Sequence, residues 1–576
     1  MNPMFITDCY KIGHPFMYDP LMHTLESNMT ARSDARFKGT STYNGKVVAN
    51  GFQGLTKEYL IDSFNRNFFS RPLTEVVDEY VEMMDGIFGP GVISVDHITR
   101  LHNLQYLPIK VQALPEGSLV PMGVPFIRVK NTVPGFGWLT NYLETLISNY
   151  LWPMITNATV AFEFRKVLEA YALETVGEAN PFVVGYQMHD FSLRGLLDGR
   201  NGNVNFGHLL SAIGSDNIPT IAYAKKYYSP QGYIAGSVPA TEHSVASSNI
   251  LNISYQLEKF GKYEDTTRDE SIPLLEQAEQ IFIVKMITKV FPTGIFSYVT
   301  DTFDYWGVLT SILPRIKNVV LSRKETDSPV PTRLVIRPDS GNPLHIIAGY
   351  KIYDTDKDPQ GLTKDEIVDE YEVVIVDGKY FIIEPHYDTW DGACTGYDLG
   401  EEIPKHVAVG SIQTLWGIFG GTETAKGYKQ LDSKIGLIYG DSITLRNLEE
   451  ILSRLKENGF ASTNVIFGVG SFTYQFNTRD TFSMAIKATH ATFYDEDAND
   501  YSVDLYKDPK TGSREKKSAK GLVAVFKNEK GFYLKEQATE ADQDNDCFVT
   551  YFDSGHIVTE YTLDDIRAEL LSNLPK

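Results

Sequence analysis

Histidines, carboxylates, arginines and glycines stand directly after short apolar runs in the middle of this chain. They are His189 and His243; Asp190, Asp216, Asp301, Asp339 and Asp441; Arg194 and Arg337; and Gly440, Gly468 and Gly470. Arginine side chains and the exposed backbone N–H groups of glycine turns bind phosphate oxygens. Carboxylates among them suit Mg²⁺ or the hydroxyl groups of a sugar. The residue types therefore predict a site for a phosphorylated sugar.

Short runs with high β propensity precede these polar turns, and segments with helical periodicity lie between several of them. The runs are 183–188, 209–213, 233–238, 295–299, 334–336, 435–439 and 464–467, and the helical segments include 161–175 and 272–291. Because the carboxyl ends of parallel strands meet on one rim of a β/α barrel, residues that follow different strands become neighbours there. The pattern predicts an α/β protein with a parallel β/α barrel; a doubly wound open sheet is the alternative.

The sequence divides into three regions. Residues 1–155 mix short strands and helices and are typical of an α+β domain, whereas residues 156–480 hold the barrel runs. Residues 345–410 interrupt the rhythm and contain two strand-like runs around Asp377-Gly378, a favoured hairpin turn. We interpret 345–410 as an insertion in the barrel. Residues 481–576 return to strand-like runs, which we expect to pack against the N-terminal domain.

Composition argues against several classes of protein. The net charge of −21 disfavours binding to a nucleic-acid backbone, which needs a broad basic surface. No apolar run is long enough to cross a membrane, and the first residues lack a secretory pattern, so we expect a cytoplasmic protein without a membrane partner. The three cysteines fit a reducing compartment and lack metal-ligand spacing. Neither a Walker loop nor a strand-linked dinucleotide fingerprint is present in the sequence.

One basic segment contrasts with the acidic whole. Residues 507–520 carry a net charge of +4. Such a segment is either a solvated surface or a region that attracts an anionic substrate.

An ordered set of motifs resembles the type II phosphoribosyltransferases, and among them the nicotinamide phosphoribosyltransferases in their microbial or viral form. The motifs run from about residue 5 to about residue 570 and include Thr7-Asp8-Cys9-Tyr10-Lys11, His189-Asp190-Phe191-Ser192-Leu193-Arg194-Gly195, Gly214-Ser215-Asp216, Ser237-Val238-Pro239-Ala240-Thr241-Glu242-His243-Ser244, Arg337-Pro338-Asp339-Ser340-Gly341, Gly440-Asp441 and Thr478-Arg479-Asp480. The resemblance implies a homodimer with active sites shared between subunits. It also implies synthesis of nicotinamide mononucleotide and pyrophosphate from nicotinamide and phosphoribosyl pyrophosphate, in NAD salvage.

The resemblance implies specific roles at the pyridine ring. Phe191 stacks on one face of the ring, and Tyr10 of the partner subunit covers the other face. Asp216 accepts a hydrogen bond from the carboxamide and repels the carboxylate of nicotinate. From the residues alone, Phe191 is also compatible with a core aromatic residue, and Asp216 is equally compatible with a helix N-cap.

The resemblance also assigns the phosphate chemistry. His243 is phosphorylated when ATP hydrolysis is coupled to synthesis, and Asp301 holds the other ring nitrogen, although a lone histidine is often structural. Arg337 and Asp339 lie at the ribose and phosphate, Arg194 at a phosphate or at pyrophosphate, and Mg²⁺ neutralises the leaving pyrophosphate. Residues at the ribose and 5′-phosphate are Gly440, Asp441, Gly470 and Ser471. The basic residues supplied across the dimer are Arg32, Arg479, Lys487, Lys507 and Lys516.

The chain differs from the resembled enzymes in two places, and two alternative functions remain open. Val469 stands within Gly468-Val469-Gly470, where the resembled enzymes have three glycines, and the 345–410 insertion is larger than in animal forms. A nicotinate phosphoribosyltransferase on the same fold is the nearer alternative, which Asp216 disfavours. A non-catalytic nucleotide-binding protein is the more distant one, which the presence of His243, Asp301, Arg337 and Asp339 disfavours.

Overall fold

A parallel sheet carries the polar turns at the carboxyl ends of its strands. The computed structural model describes residues 1–198, 202–327, 331–358, 361–388, 392, 394–440, 442–495, 497, 499–510 and 517–575. The six strands of this sheet lie in the order Ile295–Val299, Arg333–Arg337, Ile435–Tyr439, Val465–Val469, Met188–Asp190 and Gly214–Ser215. All five neighbouring pairs are parallel. The predictions 295–299 and 435–439 match strand bounds, and 334–336 lies within its strand.

Two predicted strands are instead mostly helical. Residues 183–188 fall largely in the helix Pro181–Tyr186, because Asn180 caps the N–H groups of Phe182 and Val183 and proline occupies the first turn. Residues 209–213 overlap the helix Phe206–Ser211. In both places the strand comes later and is only two or three residues long.

The segment 236–241 contacts both outer strands of the parallel sheet. Gly236 forms a parallel bridge with Gly214, and Ala240 forms one with Ser297. The Gly236 N–H donates to the carbonyl of Ile213 at 2.8 Å, and the Thr241 N–H donates to the carbonyl of Ser297 at 3.0 Å. This segment brings the turn before His243 to the same edge as the other polar turns.

Helices pack on both apolar cores, and several of them connect strands of the parallel sheet. Those of nine or more residues are Leu73–Phe88, Asp96–Leu104, Glu144–Thr175, Ile218–Tyr227, His243–Phe260, Leu274–Lys285, Leu313–Leu321, Lys405–Phe419, Leu445–Glu457 and Leu563–Leu571. Glu144–Thr175 runs through residue 155, and its buried residues face two separate apolar cores. Within the described residues, none of the helices is both long and apolar enough to cross a membrane.

A second, antiparallel sheet combines strands from both ends of the chain. Its seven strands lie in the order Asp500–Asp504, Ala485–Tyr494, Met22–Thr30, Pro125–Asn131, Ile109–Ala113, Val549–Asp553 and His556–Ile557. The apolar core beside this sheet also includes buried residues of the helices Phe206–Ser211 and Ile218–Tyr227. The helices that frame Asp216 therefore pack on this core, while the strands that carry the other turns pack on the second core.

A small four-stranded sheet lies between Arg337 and the strand that begins at Ile435. Its strands are Ile352–Asp354, Val373–Val376, Lys379–Tyr387 and Cys394–Ile403, with the helix Lys364–Glu370 beside them. Asp377 and Gly378 have φ of 51° and 71°, and the strands on either side pair as an antiparallel hairpin. Positive φ at both central residues is the geometry that an Asp-Gly turn favours, so the predicted hairpin is confirmed.

Ionisation of the buried Glu279 side chain is expected to lower the free energy of unfolding as pH rises. Its side chain is buried and accepts a hydrogen bond from Tyr298 Oη at 2.7 Å. Burial raises its pKa to about 7. The folded protein therefore holds a proton that the unfolded chain has already lost, and stability falls as pH rises from about 4.5 to about 7.

We expect Glu279→Gln to raise the free energy of unfolding at pH 8 by on the order of 1 to 3 kcal/mol, with little change at pH 4.5. Urea unfolding followed by circular dichroism at both pH values measures this. Glu276→Gln is the matched control on the same helix, and it should destabilise because Glu276 pairs with Arg315. A gain for Glu279→Gln that is equal at both pH values would contradict the argument.

Candidate functional site

A cavity of about 360 Å³ opens at the carboxyl ends of the parallel strands. The predicted residues in its wall are Phe191, Arg194, Asp216, Arg337, Asp339, Gly440, Gly470 and Ser471. The wall also contains Ser442, Ile443, Phe472 and Thr473, which were not among the predicted site residues. Their signal in the sequence was their place directly after the glycine turns at 440 and 470. The structure thus brings together turns that follow five different segments of the chain.

The ring of Phe191 lies directly against two glycines. A Cβ atom at position 468 would lie 2.5 Å from Phe191 Cδ2, and one at position 440 would lie 3.3 Å from Phe191 Cε2. Only glycine at 468 leaves room for the ring in this place. Val469 is fully buried in the apolar core, so the valine within Gly468-Val469-Gly470 does not obstruct this wall.

Asp216 is held by two side chains at the edge of the cavity. His189 Nε2 lies 2.9 Å from Asp216 Oδ1, and the Ser237 hydroxyl donates to the same oxygen. Burial raises the pKa of Asp216, but the hydrogen bonds from His189 and Ser237 outweigh burial and the pKa lies below its usual value. The N-cap of the following helix is Asn217, whose side chain accepts from the Thr220 N–H. Asp216 is therefore an ionised acceptor and not a helix cap.

Asp190 lies beneath the cavity and joins the two loops that carry Phe191 and Asp216. It is fully buried and accepts hydrogen bonds from the Ser192 N–H at 2.9 Å and from Asn205 Nδ2 at 2.7 Å. Its backbone carbonyl accepts from the Asp216 N–H at 3.0 Å. Asp190 thus fixes the relative position of both loops.

Arg337 lies among carboxylates and directs part of its guanidinium toward the cavity. It donates to the carbonyl of Thr241, and its Nε atom is buried without a hydrogen-bond partner among the described residues. Burial lowers its pKa, whereas Asp339 and Asp216 raise it. Arg194 is close enough to repel it, and both arginines line the cavity. Two neighbouring arginines at one cavity suit a ligand with more than one negative charge.

His243 is the first residue of the helix His243–Phe260 and is half-exposed. Its Nδ1 atom lies 3.2 Å from Thr302 Oγ1, and its Nε2 atom lies 3.8 Å from Asp301 Oδ1 and 4.0 Å from Asp339 Oδ2. The distances to the carboxylates are too long for hydrogen bonds but give electrostatic contact. The imidazole therefore stands between a hydroxyl group and two acids, with one face open.

Asp301 also anchors the loop of Asp339. Its Oδ2 atom accepts from the Asp339 N–H at 2.9 Å and from Ser340 Oγ at 2.6 Å. Its Oδ1 atom, the one that faces His243, is buried and has no hydrogen-bond partner among the described residues. A buried acceptor without a partner is costly, so this atom is available to a ligand or to a protonated imidazole.

The turn at Gly470 begins the short helix Ser471–Gln475. A Cβ atom at Gly195 would lie 2.0 Å from Ser471 Oγ, which shows how closely the Arg194 loop packs on this turn. Thr473 Oγ1 donates to the carbonyl of Ile443 at 2.5 Å and fixes the turn to its neighbour. Backbone N–H groups at such a turn suit phosphate oxygens.

Several predicted basic residues lie together on the part of the chain built from both ends. Lys487 is partly buried, and burial lowers its pKa, with Glu144 acting against this and Arg32 and Lys507 adding to it. The buried Lys11 is also near, donating to Glu144 Oε2 at 2.7 Å. We call Lys11, Arg32, Lys487 and Lys507 the basic cluster. Its members are absent from the described wall of the cavity.

Six other predicted residues lie outside the cavity wall or outside the described chain, and two of them are His243 and Asp301, described above. Tyr10 is 65% exposed beside Lys11, and Arg479 is exposed and pairs with Asp480 at 3.2 Å. Asp441 and Lys516 lie outside the described residues. No group of three or more His, Cys, Asp or Glu side chains is arranged to hold a metal ion in the described part of the chain.

A family model and curated relatives both match this chain over most of its length. The model of the "Nicotinate phosphoribosyltransferase (NAPRTase) family" matches residues 186–545. A protein of Acinetobacter baylyi named "Nicotinamide phosphoribosyltransferase" is 37% identical over 577 aligned residues, covering 100% of this chain and 98% of its own. One of Mycoplasma pneumoniae with the same name is 28% identical, covering 85% of this chain and 89% of its own.

Among solved structures, human nicotinic acid phosphoribosyltransferase aligns with a TM-score of 0.49 and 15% identity, covering 99% of this chain and 94% of that chain. The family model spans more than half of the chain, and the Acinetobacter relative spans all of it. The chain belongs to the nicotinate phosphoribosyltransferase family.

Proposed function

We propose that this protein is a pentosyltransferase that makes nicotinamide mononucleotide and pyrophosphate from nicotinamide and phosphoribosyl pyrophosphate. One observation carries the choice of nicotinamide: an ionised carboxylate, Asp216, is held by His189 and Ser237 at the edge of a cavity walled by Phe191. The curated relatives that align with the chain are named for the same reaction. The product makes the protein an enzyme of NAD salvage.

At the pyridine end, the ring of nicotinamide stacks on Phe191 while its carboxamide NH₂ donates to Asp216. The carboxylate of nicotinate would meet the same ionised Asp216 and be repelled. His189 and Ser237 keep the Asp216 carboxylate from turning away. The pyridine nitrogen already carries a lone pair, so the attack on the ribose carbon needs no general base.

At the phosphate end, Arg337 and Arg194 contact the charged groups of the phosphoribosyl donor, and Asp339 contacts the ribose. Gly440, Asp441, Gly470 and Ser471 bind the ribose and the 5′-phosphate. The ribose carbon gains positive charge as pyrophosphate leaves. The protein accelerates this step by holding both reactants in line and by stabilising the charge that develops.

We propose that Asp301 and Asp339 are the residues that would hold Mg²⁺, which would neutralise charge on the pyrophosphate group of the donor. The described residues offer at most pairs of carboxylates near the cavity, such as Asp301 and Asp339. Mg²⁺ commonly takes one or two carboxylates together with substrate phosphates and water, so this donor set fits. The partnerless Oδ1 atom of Asp301 supports a role for that side chain in charge balance.

We propose that ATP is a co-substrate and that His243 accepts its γ-phosphate. The exposure of the imidazole and its position beside Asp301 and Asp339 support this role, because nearby carboxylates can orient the ring of a nucleophilic histidine. Hydrolysis of the phosphohistidine would then be coupled to synthesis.

We propose a homodimer in which Tyr10, Arg479, Lys516 and the basic cluster complete the site of the partner subunit. Support comes from exposed apolar side chains near the cavity, which a second subunit would cover: Phe476 is 79% exposed, Leu197 78% and Phe472 57%.

We also propose that 236–241 closes the parallel sheet into a full barrel, since it bonds to both outer strands. The domain bounds 1–155, 156–480 and 481–576, the cytoplasmic location and the absence of nucleic-acid and membrane partners remain proposals.

The test of substrate choice is Asp216→Asn. We expect kcat/KM for nicotinamide to fall about 10- to 100-fold, because a hydrogen bond to a charged acceptor contributes roughly 1.5–3 kcal/mol. The relative rate with nicotinate should rise, because the repulsion is gone. Pyrophosphate release with phosphoribosyl pyrophosphate and Mg²⁺, measured for each pyridine with and without ATP, gives both numbers.

Ser237→Ala is the matched control, since it removes one bond to Asp216 but keeps the charge; it should weaken nicotinamide use without favouring nicotinate. An unchanged nicotinamide-to-nicotinate ratio in Asp216→Asn would place discrimination elsewhere. Turnover of wild-type protein with nicotinate alone would make it a nicotinate phosphoribosyltransferase. No pyrophosphate release with either pyridine would favour a non-catalytic nucleotide-binding protein.

A further inference from the structure

The C-terminal helix Leu563–Leu571 lies beyond residues 186–545, to which the family model corresponds. Leu563, Ile566 and Leu570 are fully or almost fully buried in the core beside the antiparallel sheet. The helix is therefore fixed to that core and can serve as a rigid support. Its polar side chains contact residues 231–234, which precede Ser237 of the candidate site.

Arg567 donates hydrogen bonds to three backbone carbonyl groups. Its Nε atom lies 2.5 Å from the carbonyl oxygen of Leu209, and its Nη1 atom lies 2.6 Å from that of Tyr233. Its Nη2 atom donates to the carbonyl of Ile234. One guanidinium thus joins two chain segments that are more than twenty residues apart in sequence, using the planar fork that only arginine offers.

The same helix holds the preceding residues of the second segment. Asp564 Oδ2 accepts from the Gln231 N–H at 2.6 Å and from the Gly232 N–H at 3.2 Å. The Leu563 N–H donates to the carbonyl of Tyr228 at 2.9 Å. Residues 228–234 are therefore bonded to the helix at five backbone groups.

The two segments that Arg567 joins are hydrogen-bonded to each other a few residues further along each segment, next to Asp216. The Gly236 N–H donates to the Ile213 carbonyl at 2.8 Å, and the Ser215 N–H donates to the Gly236 carbonyl at 3.0 Å. Directly after these bonds, the Ser237 hydroxyl donates to Asp216. The position of Ser237 relative to Asp216 is thus set by the segments that Arg567 joins.

We propose that Arg567, assisted by Asp564, is a positioning residue that sets the affinity of the site for its pyridine substrate. This inference rests on the proposed function, in which Asp216 binds the carboxamide. Arg567 acts through Ser237 and Asp216 and has no place in the wall of the cavity. Small displacements of a substrate-binding group are costly, because the bound geometry must match the reacting one closely.

The variants Arg567→Ala and Arg567→Lys test the proposal. For Arg567→Ala we expect KM for nicotinamide to rise at least tenfold, while KM for phosphoribosyl pyrophosphate stays within about twofold. Arg567→Lys keeps the charge and some of the bonds, so it should give an intermediate KM. Steady-state kinetics with each substrate varied separately distinguish this from general destabilisation, which would lower the active fraction without raising one KM.

Arg323→Ala is the matched control. Arg323 is buried and donates to the carbonyls of Phe291 and Gly294, at the amino end of the strand Ile295–Val299 and away from the cavity. It should lower the melting temperature without changing either KM. Hydrogen exchange adds a readout that is independent of activity: uptake over residues 228–241 should rise in Arg567→Ala and stay unchanged in Arg323→Ala.

The outcomes separate this proposal from the proposed function. Unchanged KM for the pyridine in both Arg567 variants, or an equal rise in Arg323→Ala, overturns the proposal. If the wild-type protein uses nicotinate instead, the proposed function fails, and the positioning role is judged on KM for nicotinate. If the wild-type protein has no turnover, hydrogen exchange is the deciding measurement. Unchanged exchange over residues 228–241 in Arg567→Ala then overturns the positioning role. If Arg567→Ala does not fold, the same measurements are made on Arg567→Lys and Asp564→Asn.

Discussion

Replacing Gly468 by alanine is expected to reduce kcat/KM for nicotinamide by about 100-fold or more. The new Cβ would lie 2.5 Å from Phe191 Cδ2 and 2.7 Å from the Cα of Gly440. Contacts this short force the ring of Phe191 out of its place. If nicotinamide stacks on Phe191 as proposed, loss of stacking and misplacement of the pyridine together cost roughly 3 kcal/mol, which corresponds to this factor. Pyrophosphate release at low nicotinamide concentration measures the loss.

Two further glycines provide a graded control for this prediction. At Gly440 a Cβ would lie 3.3 Å from Phe191 and from Asp339 Oδ1, so Gly440→Ala should have a smaller effect. At Gly417, in the helix Lys405–Phe419, a Cβ meets nothing within 4 Å, so Gly417→Ala should leave activity unchanged. Equal activity of the Gly468 and Gly417 variants would show that Phe191 does not need its observed position.

Replacing His243 by alanine is expected to abolish stimulation of synthesis by ATP. The variant loses the only imidazole in contact with Asp301 and Asp339 among the described residues, and alanine is compatible with the first turn of the helix. Synthesis without ATP should persist at a low rate, since the residues proposed to contact the pyridine and the phosphates remain. Parallel assays of nicotinamide mononucleotide formation and ATP hydrolysis, with acid-labile phosphate on the protein, measure the coupling.

His386→Ala is the matched control for His243. Both imidazoles are about half-exposed and lie near carboxylates, His386 beside Asp398 at 3.0 Å, but His386 lies on the inserted sheet. Its replacement should leave ATP stimulation intact. Stimulation that survives in His243→Ala would assign phosphate transfer to another residue or remove it from the mechanism.

Sequence reasoning was most successful where apolar content alone decides the structure. Strands 295–299 and 435–439 are buried and rich in β-prone residues, so their bounds were predictable. The run 183–188 has similar composition, but the capping side chain of Asn180 and the following proline favour a helix. Short apolar runs do not distinguish these outcomes by periodicity, and the start signal at Asn180-Pro181 was the better guide.

The candidate site shows the same limit at the level of side chains. The motifs indicated Phe191, Asp216 and Arg337, and the structure places all three in one cavity. The bond from His189 to Asp216 and the contacts of Arg567 join residues far apart in sequence, so spacing carries no signal for them. The resemblance implied that Asp301 holds the imidazole of His243, whereas the structure shows an approach of 3.8 Å without a hydrogen bond.

The pairing of the first long strand with one near the other end of the chain bears on how the protein is made. Met22–Thr30 pairs along its length with Ala485–Tyr494, so the ribosome must add more than 400 residues before the partner strand emerges. At about 5–20 residues per second this takes roughly 20 to 90 s, during which one edge of this strand lacks its hydrogen-bonding neighbour. The seven-stranded sheet can therefore be completed only after most of the chain has been synthesised.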